Sequence, residues 1–281
     1  MGKVALIGFG EAGSTFALDG GWGAGARAFD ILSARTEAMR AAGITPCADL
    51  AEALTDAPLV LSLVTADAAL GVARAAAELM APGALFCDMN SVAPETKRSA
   101  AHAIEAAGGR YVDVAVMAPV NPQKLSVPLL LSGAEASGAV AALKVLGFSN
   151  ARIVGRDVGR ASTIKMLRSV MYKGVEALTA ECLIACERAG VTDEVLGSFG
   201  NDWATSADYR FDRMLVHGLR RAAELREVCK ALADLGFEPS MSRGTVAWQQ
   251  ALGELAIRPV PEDLAGKLRA VANAMEGKTN A

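Results

Sequence analysis

Histidine is nearly missing from this sequence: His102 and His217 are the only two among 281 residues. Five cysteines (Cys47, Cys87, Cys182, Cys186 and Cys229) form no Cys-x-x-Cys, and the pair Cys182 and Cys186 has no histidine beside it. Without a histidine to join it the cysteine pair is a poor metal site, so no metal is expected and the cysteines read as small buried apolar residues. Their odd number argues against a disulfide framework and for a reducing compartment, the cytoplasm. A surplus of positive charge is absent too, the formal net charge being −3. Without a basic field neither nucleic acid nor an anionic membrane surface is an expected partner. Hydrophobic residues make up 52% of the chain, but alanine carries much of that, and no run of about 18 apolar residues exists to span a bilayer. Residues 1–20 lack the charged start and unbroken apolar core of a secretion signal, because glycines interrupt them.

Those glycines are the first positive signal. "VALIGFGEAG", residues 4–13, places Gly8, Gly10 and Gly13 at the spacing G-x-G-x-x-G. The apolar run 3–7 before it reads as a strand, and residues 12–18 read as the opening of a helix. A strand turning tightly into a helix gathers unpaired N–H groups and the positive end of the helix dipole at one point, which attracts phosphate. Gly8 serves the tight turn, Gly10 the approach of a pyrophosphate, and Gly13 the packing of helix on strand, with Phe9, Glu11 and Ala12 completing the cradle. "ARAFD", residues 26–30, then delivers Asp30 where a second strand meets an adenosine ribose. The expected cofactor is NAD, since Asp30 repels a 2′-phosphate; Arg35, five residues on, keeps NADP open. Val64 and Thr65, where the apolar run 58–64 ends, join the expected cofactor contacts.

Further runs at 84–88 and 110–116 alternate with alanine-rich helical stretches at 33–42, 67–80 and 95–107, and strands at 128–132 and 151–154 flank a helix at 135–147. Such alternation predicts an α/β, Rossmann-type, doubly wound parallel sheet. After Gly159 the pattern is helical only (160–189, 193–205, 207–235, 240–255), with an amphipathic stretch at 262–276 and a polar end expected to fray. The expected organisation is a dinucleotide-binding domain over 1–158 and an all-α substrate and dimerisation domain over 159–281.

On the helix expected over 160–189, Lys165, Ser169, Tyr172 and Glu176 fall within a band of about 60°. Ile164, Leu167, Val170, Met171 and Val175 cover the opposite arc, with Arg168 and Lys173 flanking the band. Such a stripe either faces water or lines a cleft facing a nicotinamide. Downstream, Arg213, His217, Arg220 and Arg221 share one side at helical spacing. They suit a carboxylate or phosphate, or else a salt-bridged surface with Glu224 and Glu227. His102 reads as a surface or packing residue.

Taken together, these segments resemble the β-hydroxyacid dehydrogenases, the family of 3-hydroxyisobutyrate dehydrogenase and 6-phosphogluconate dehydrogenase, over nearly the full length. "DMNSVAPET", 88–96, is similar to the family's D-x-S-T-x-x-P segment beside the nicotinamide, with Asn90 and Ser91 at its centre. "GRASTIKMLRS", 159–169, is similar to its G-x-x-x-K-x-x-N-N segment, which implies that Lys165 is the catalytic acid/base. Departures are equally plain: Asp113–Pro119 reads DVAVMAP where the family has D-A-P-V-S-G-G, Ser169 replaces an asparagine, and His217-Gly218-Leu219 stands for K-D-L. The usual carboxylate cradle is therefore missing, and Ser91, Met117, Asn121, Gln123, Lys124, Ser169, His217 and Arg220 are the candidates for contacting a small anionic substrate. The resemblance implies an NAD(P)-dependent dehydrogenase acting on the hydroxyl-bearing carbon of a small hydroxyacid or sugar acid, and a homodimer. Imine reduction, a decarboxylation or rearrangement after oxidation, and a non-catalytic NAD-binding protein are the rival readings.

Overall fold

The structure is a computed structural model that describes residues 4–200 and 202–279, with side chains through residue 276. Lys3, the first residue of the strand expected at 3–7, and the last two residues of the tail lie outside these. The chain separates into two compact units, residues up to Met166 and residues from Leu167 onward. The division falls inside a helix that runs unbroken from Arg160 to Ala189, whereas the change of sequence pattern marks its start.

The N-terminal unit is an eight-stranded sheet: β1 (Val4–Ile7), β2 (Ala26–Phe29), β3 (Thr45–Pro46), β4 (Leu59–Ser62), β5 (Leu85–Asp88), β6 (Arg110–Val116), β7 (Leu129–Ser132) and β8 (Ala151–Gly155), ordered β3-β2-β1-β4-β5-β6-β7-β8. Between them lie α1 (Glu11–Asp19), α2 (Arg35–Ala41), α3 (Leu50–Leu54), α4 (Ala69–Leu79), α5 (Pro94–Ala106) and α6 (Ala136–Val145). β1, β4 and β5 are buried at every position, as a parallel sheet covered on both faces requires. Alternate residues feed two cores: Leu6, Phe16, Trp22, Leu61, Val112 and Phe148 on one side, and Ile7, Val60, Phe86, Ile104 and Tyr111 on the other. Trp22 keeps its indole N–H satisfied there by donating to the Leu146 carbonyl at 2.8 Å.

The sheet is not parallel throughout. β7 pairs antiparallel with β6, and β8 parallel with β7, so the last two strands run against the other six. Segment 117–128 supplies only a 3₁₀ turn at Lys124–Ser126, and without a crossover helix the chain doubles back. The short elements β3 and α3 have no signal in the hydrophobic pattern.

α7 (Arg160–Ala189) spans both units. The C-terminal unit adds α8 (Thr192–Ser198), α9 (Trp203–Asp234), α10 (Ser240–Glu254) and α11 (Leu264–Thr279). The helix expected over 193–205 stops at Ser198, shortly before Gly200 takes a left-handed φ of +91°, and its successor starts early, at Trp203. Ala180, Leu183, Ile184, Phe211, Met214, Leu252 and Val271 form this unit's core. α9 and α10 cross on two glycines: a Cβ on Gly218 or Gly253 would run into the backbone of the other helix. Among the described residues no helix is long and apolar enough to cross a membrane.

Candidate functional site

The strand order reverses between β1 and β4, and at such a switch point ligands bind beyond the carboxyl ends of the strands. Gly8 leaves β1 with φ +93°, and a Cβ on it would run into the Leu63 carbonyl that follows β4. A Cβ on Gly13 would lie 2.6 Å from the Gly8 carbonyl, so α1 meets the strand only because that residue is glycine. Gly10 differs: a Cβ there would meet nothing within 4 Å. The space left open at Gly10 faces the first turn of α1, where Glu11, Ala12 and Gly13 present N–H groups with no partner inside the helix. Nothing in the protein demands a glycine at position 10, whereas a pyrophosphate lying on the turn would.

Asp30 closes this loop. One carboxylate oxygen accepts from the Phe9 N–H at 2.7 Å and the other from the Leu32 N–H at 2.9 Å. The Phe9 amide is therefore engaged by Asp30, and the Phe9 side chain is fully buried, so Phe9 shapes the turn from within. Each Asp30 oxygen retains a second acceptor position for a ribose hydroxyl. Beside Asp30, Ile31 is 86% exposed and Leu32 55%, an apolar platform that the spacing rules for the glycine turn do not reveal.

The next wall is built by Asn90. Its amide oxygen accepts from the Val64 N–H at 2.6 Å, its amide nitrogen donates to Ser62 Oγ at 2.9 Å, and its backbone N–H donates to Asp88 Oδ1 at 2.9 Å. Asn90 is buried and spends these groups on joining the loops after β4 and β5. That places Val64 and the exposed Thr65 on one side and Ser91 on the other.

Lys165 meets this loop from α7. Its Nζ donates to Ser91 Oγ at 2.5 Å, bringing together the two polar side chains expected at the reaction centre. The first turn of α7 is fixed beneath it: Ser162 donates its backbone N–H to Asp113 Oδ2 at 2.9 Å and its hydroxyl to Asp113 Oδ1 at 2.7 Å, and the Ala161 N–H donates to Ser132 Oγ at 3.0 Å. Met117, Ile164 and Val154 pack on Ala115, Leu130 and Ala161, so Met117 lies alongside that turn. Asn121, Gln123 and Lys124 are exposed in segment 117–128, and Lys124 pairs with Asp19 at 3.2 Å.

Sequence reasoning passes over a buried ionic cluster in the same unit. Lys97, wholly buried, contacts Asp88 Oδ1 at 2.9 Å and Asp113 Oδ1 at 3.4 Å, and donates to the Asp88 carbonyl at 2.6 Å. Tyr111 donates its hydroxyl to Asp88 Oδ2 at 2.7 Å. Burial, reinforced by Asp88 and Asp113, holds the Tyr111 phenol well above its usual range. The available signal was a single acid in each of two strand runs, Asp88 at the end of 84–88 and Asp113 in the middle of 110–116.

In the C-terminal unit the expected faces of α7 are rearranged. Glu176, assigned to a polar band with Ser169 and Tyr172, is buried and accepts from Arg221 and, at 2.7 Å, from Gln249. Lys173 is buried and donates to Glu224 at 2.7 Å; burial lowers its pKa more than Glu224 raises it. Met171, assigned to the apolar arc, is 67% exposed. A single helical wheel fails here because α7 packs on β6 and β7 residues before Met166 and on α9 and α10 residues after it. The arginine group also divides: Arg220 pairs with Glu224 at 2.9 Å, and Arg221 turns inward to Glu176, as in a salt-bridged face. His217 is half-buried and His102 is exposed. Among the described residues no cluster of ligands suited to a metal ion occurs.

A glycine turn at the switch point of this sheet defines an NAD(P)-binding Rossmann unit. Residues 3–146, just over half of the chain, match the NAD binding domain of 6-phosphogluconate dehydrogenase, and the chain belongs to the β-hydroxyacid dehydrogenase superfamily. Residues 186–252 match a domain of unknown function (DUF1932). A conserved hypothetical protein from Sinorhizobium meliloti 1021 is 36% identical, with 98% of this chain and 97% of that one covered and a TM-score of 0.76. The 3-sulfolactaldehyde reductase of Escherichia coli K12 is 25% identical over 201 residues, 69% of this chain and 67% of that protein. The 3-hydroxyisobutyrate dehydrogenase of Mycobacterium tuberculosis shares the fold, with a TM-score of 0.72 over 98% of this chain and 99% of that one at 18% identity.

Proposed function

We propose that this protein is an NAD-preferring oxidoreductase that interconverts a small anionic hydroxyacid and its carbonyl form, with Lys165 as general acid/base. The observation that carries the reading is the 2.5 Å hydrogen bond from Lys165 Nζ to Ser91 Oγ, on a loop joined through Asn90 and Val64 to the wall of the glycine turn. A nicotinamide cofactor, when bound, supplies the hydride chemistry. Lys165 takes the hydroxyl proton of the substrate in oxidation and returns it in reduction, while Ser91 orients the substrate oxygen toward Nζ. Asp30 holds the adenosine ribose and Met117 sets an apolar limit beside the first turn of α7. The C-terminal unit is assigned to dimer formation in this reading.

An anionic substrate is favoured by the reductase relative named for 3-sulfolactaldehyde. A panel of hydroxyacids, sugar acids and short anionic aldehydes, followed by cofactor absorbance, tests the reading. Lys165→Ala is expected to lower kcat by about 10²–10⁴, the usual worth of acid–base catalysis, with affinity for NAD(H) nearly unchanged. A variant keeping more than about a tenth of kcat would remove Lys165 from the chemistry.

A further inference from the structure

The proposed chemistry leaves the buried Lys97 cluster without a role. An ion cluster of this kind adds little to stability, because removing charges from water costs about as much as their attraction returns. Its geometry is more specific. Asp88 governs the loop that carries Ser91: its Oδ1 accepts from Asn90 N–H, and the Asn90 side chain fixes Val64 and Ser62. Asp113 governs the helix that carries Lys165: both its oxygens accept from Ser162, one turn before Lys165. The two carboxylates belong to neighbouring strands, with Asp88 directly opposite Asp113 in the register of β5 and β6. Left alone they would repel, and Lys97 lies between them within 3.4 Å of each.

We infer that Lys97 is a positioning residue: by bridging Asp88 and Asp113 its ammonium sets the spacing between the Ser91 loop and the first turn of α7, and so holds Lys165 on Ser91. No proton or substrate needs to reach Lys97, which is fully buried. Its consequence for turnover rests on the assignment of Lys165 as acid/base; its consequence for the Lys165–Ser91 pair does not.

The test uses the full chain with Lys97→Met, which keeps side-chain length and removes the charge. Pulse acetylation by an N-hydroxysuccinimide ester, read at Lys165 by peptide mass spectrometry, reports whether the amine is still held. Acetylation of Lys165 is expected to rise about tenfold, and with any substrate found kcat is expected to fall about tenfold or more while KM and the Kd for NADH stay within about threefold. Should Lys97→Met fail to fold, Ser162→Ala removes a single hydroxyl from Asp113 and is expected to raise Lys165 acetylation about threefold. Lys165 acetylation within about twofold of wild type in the folded variant overturns the inference, since so small a change leaves the geometry intact. If acetylation rises but the wild-type protein turns over nothing on the panel, the positioning role stands and the acid/base reading fails.

Discussion

Gly10 and Gly13 stand three residues apart and lack side chains for opposite reasons. At Gly13 a methyl group would meet the Gly8 carbonyl at 2.6 Å, while at Gly10 it would meet nothing. Gly13→Ala should therefore cost about 1–3 kcal/mol of stability, as overpacking does. Gly10→Ala should leave urea unfolding within about 0.5 kcal/mol of wild type, since φ at this position is already negative. Binding of NAD(H), measured by calorimetry, should nevertheless weaken about tenfold or more in Gly10→Ala, because the methyl occupies the cradle. Equal affinity in wild type and Gly10→Ala would take the pyrophosphate away from this turn. Asp30 carries a second expectation. Its charge disfavours a 2′-phosphate, so initial rates with NAD(H) should exceed those with NADP(H) at equal concentration. The reverse order would point instead to the exposed Arg35 at the start of α2.

Among the elements, β5 and β6 bury two protons: the Tyr111 hydroxyl, bonded to Asp88 of the ionic cluster, and the Cys87 thiol, in the core on the other face of the sheet. Burial pushes the Cys87 thiol from 9.0 to about 12, and Tyr111 is held well above its ordinary value of 10.0 by burial and then by Asp88 and Asp113. In the unfolded chain both groups ionise at their ordinary values, so above those the unfolded state has lost protons that the folded state keeps. Their contribution to stability is complete below pH 9 and is lost as pH rises from there toward the folded pKa values, by about 1.4 kcal/mol per pH unit for each group. Urea unfolding between pH 8 and about pH 11 should show this decline, and Cys87→Ala should make it shallower by one such slope. An unchanged slope would mean that the Cys87 thiol titrates normally in the folded protein. α7 shows how an element can mislead. Its residues read as one amphipathic pattern, yet Lys173 and Glu176 are buried while Met171, from the apolar arc, is exposed.

For the molecule as a whole, the apolar surface of the C-terminal unit bears on assembly. Met171, Leu178, Tyr209 and Leu219 are each at least half exposed, on α7 and α9. Side chains of this size are costly to leave in water, at about 25 cal/mol for each Å². A dimer that buries them is the expected state. Light scattering at micromolar concentration should give about twice the chain mass of 29.0 kDa, and a stable monomer would reject it.

Signals that are local in the chain could be read without coordinates. The glycine turn, Asp30 and the apolar strand runs each depend on neighbours a few residues away, where backbone geometry and hydrophobic period act directly. Resemblance assigned Lys165 and Ser91 separately to the reaction centre, but their 2.5 Å contact joins residues 74 apart and follows only from how α7 enters the sheet unit. The same holds for Lys97, which the sequence pattern does not single out and whose role rests on β5 and β6 setting Asp88 and Asp113 on either side of it. The reversed direction of β7 and β8 and the inward turn of Glu176 and Arg221 are likewise settled by packing. Local pattern shows which residues prefer burial, whereas the partners that make a buried charge tolerable come from distant parts of the chain and exist only once it has folded.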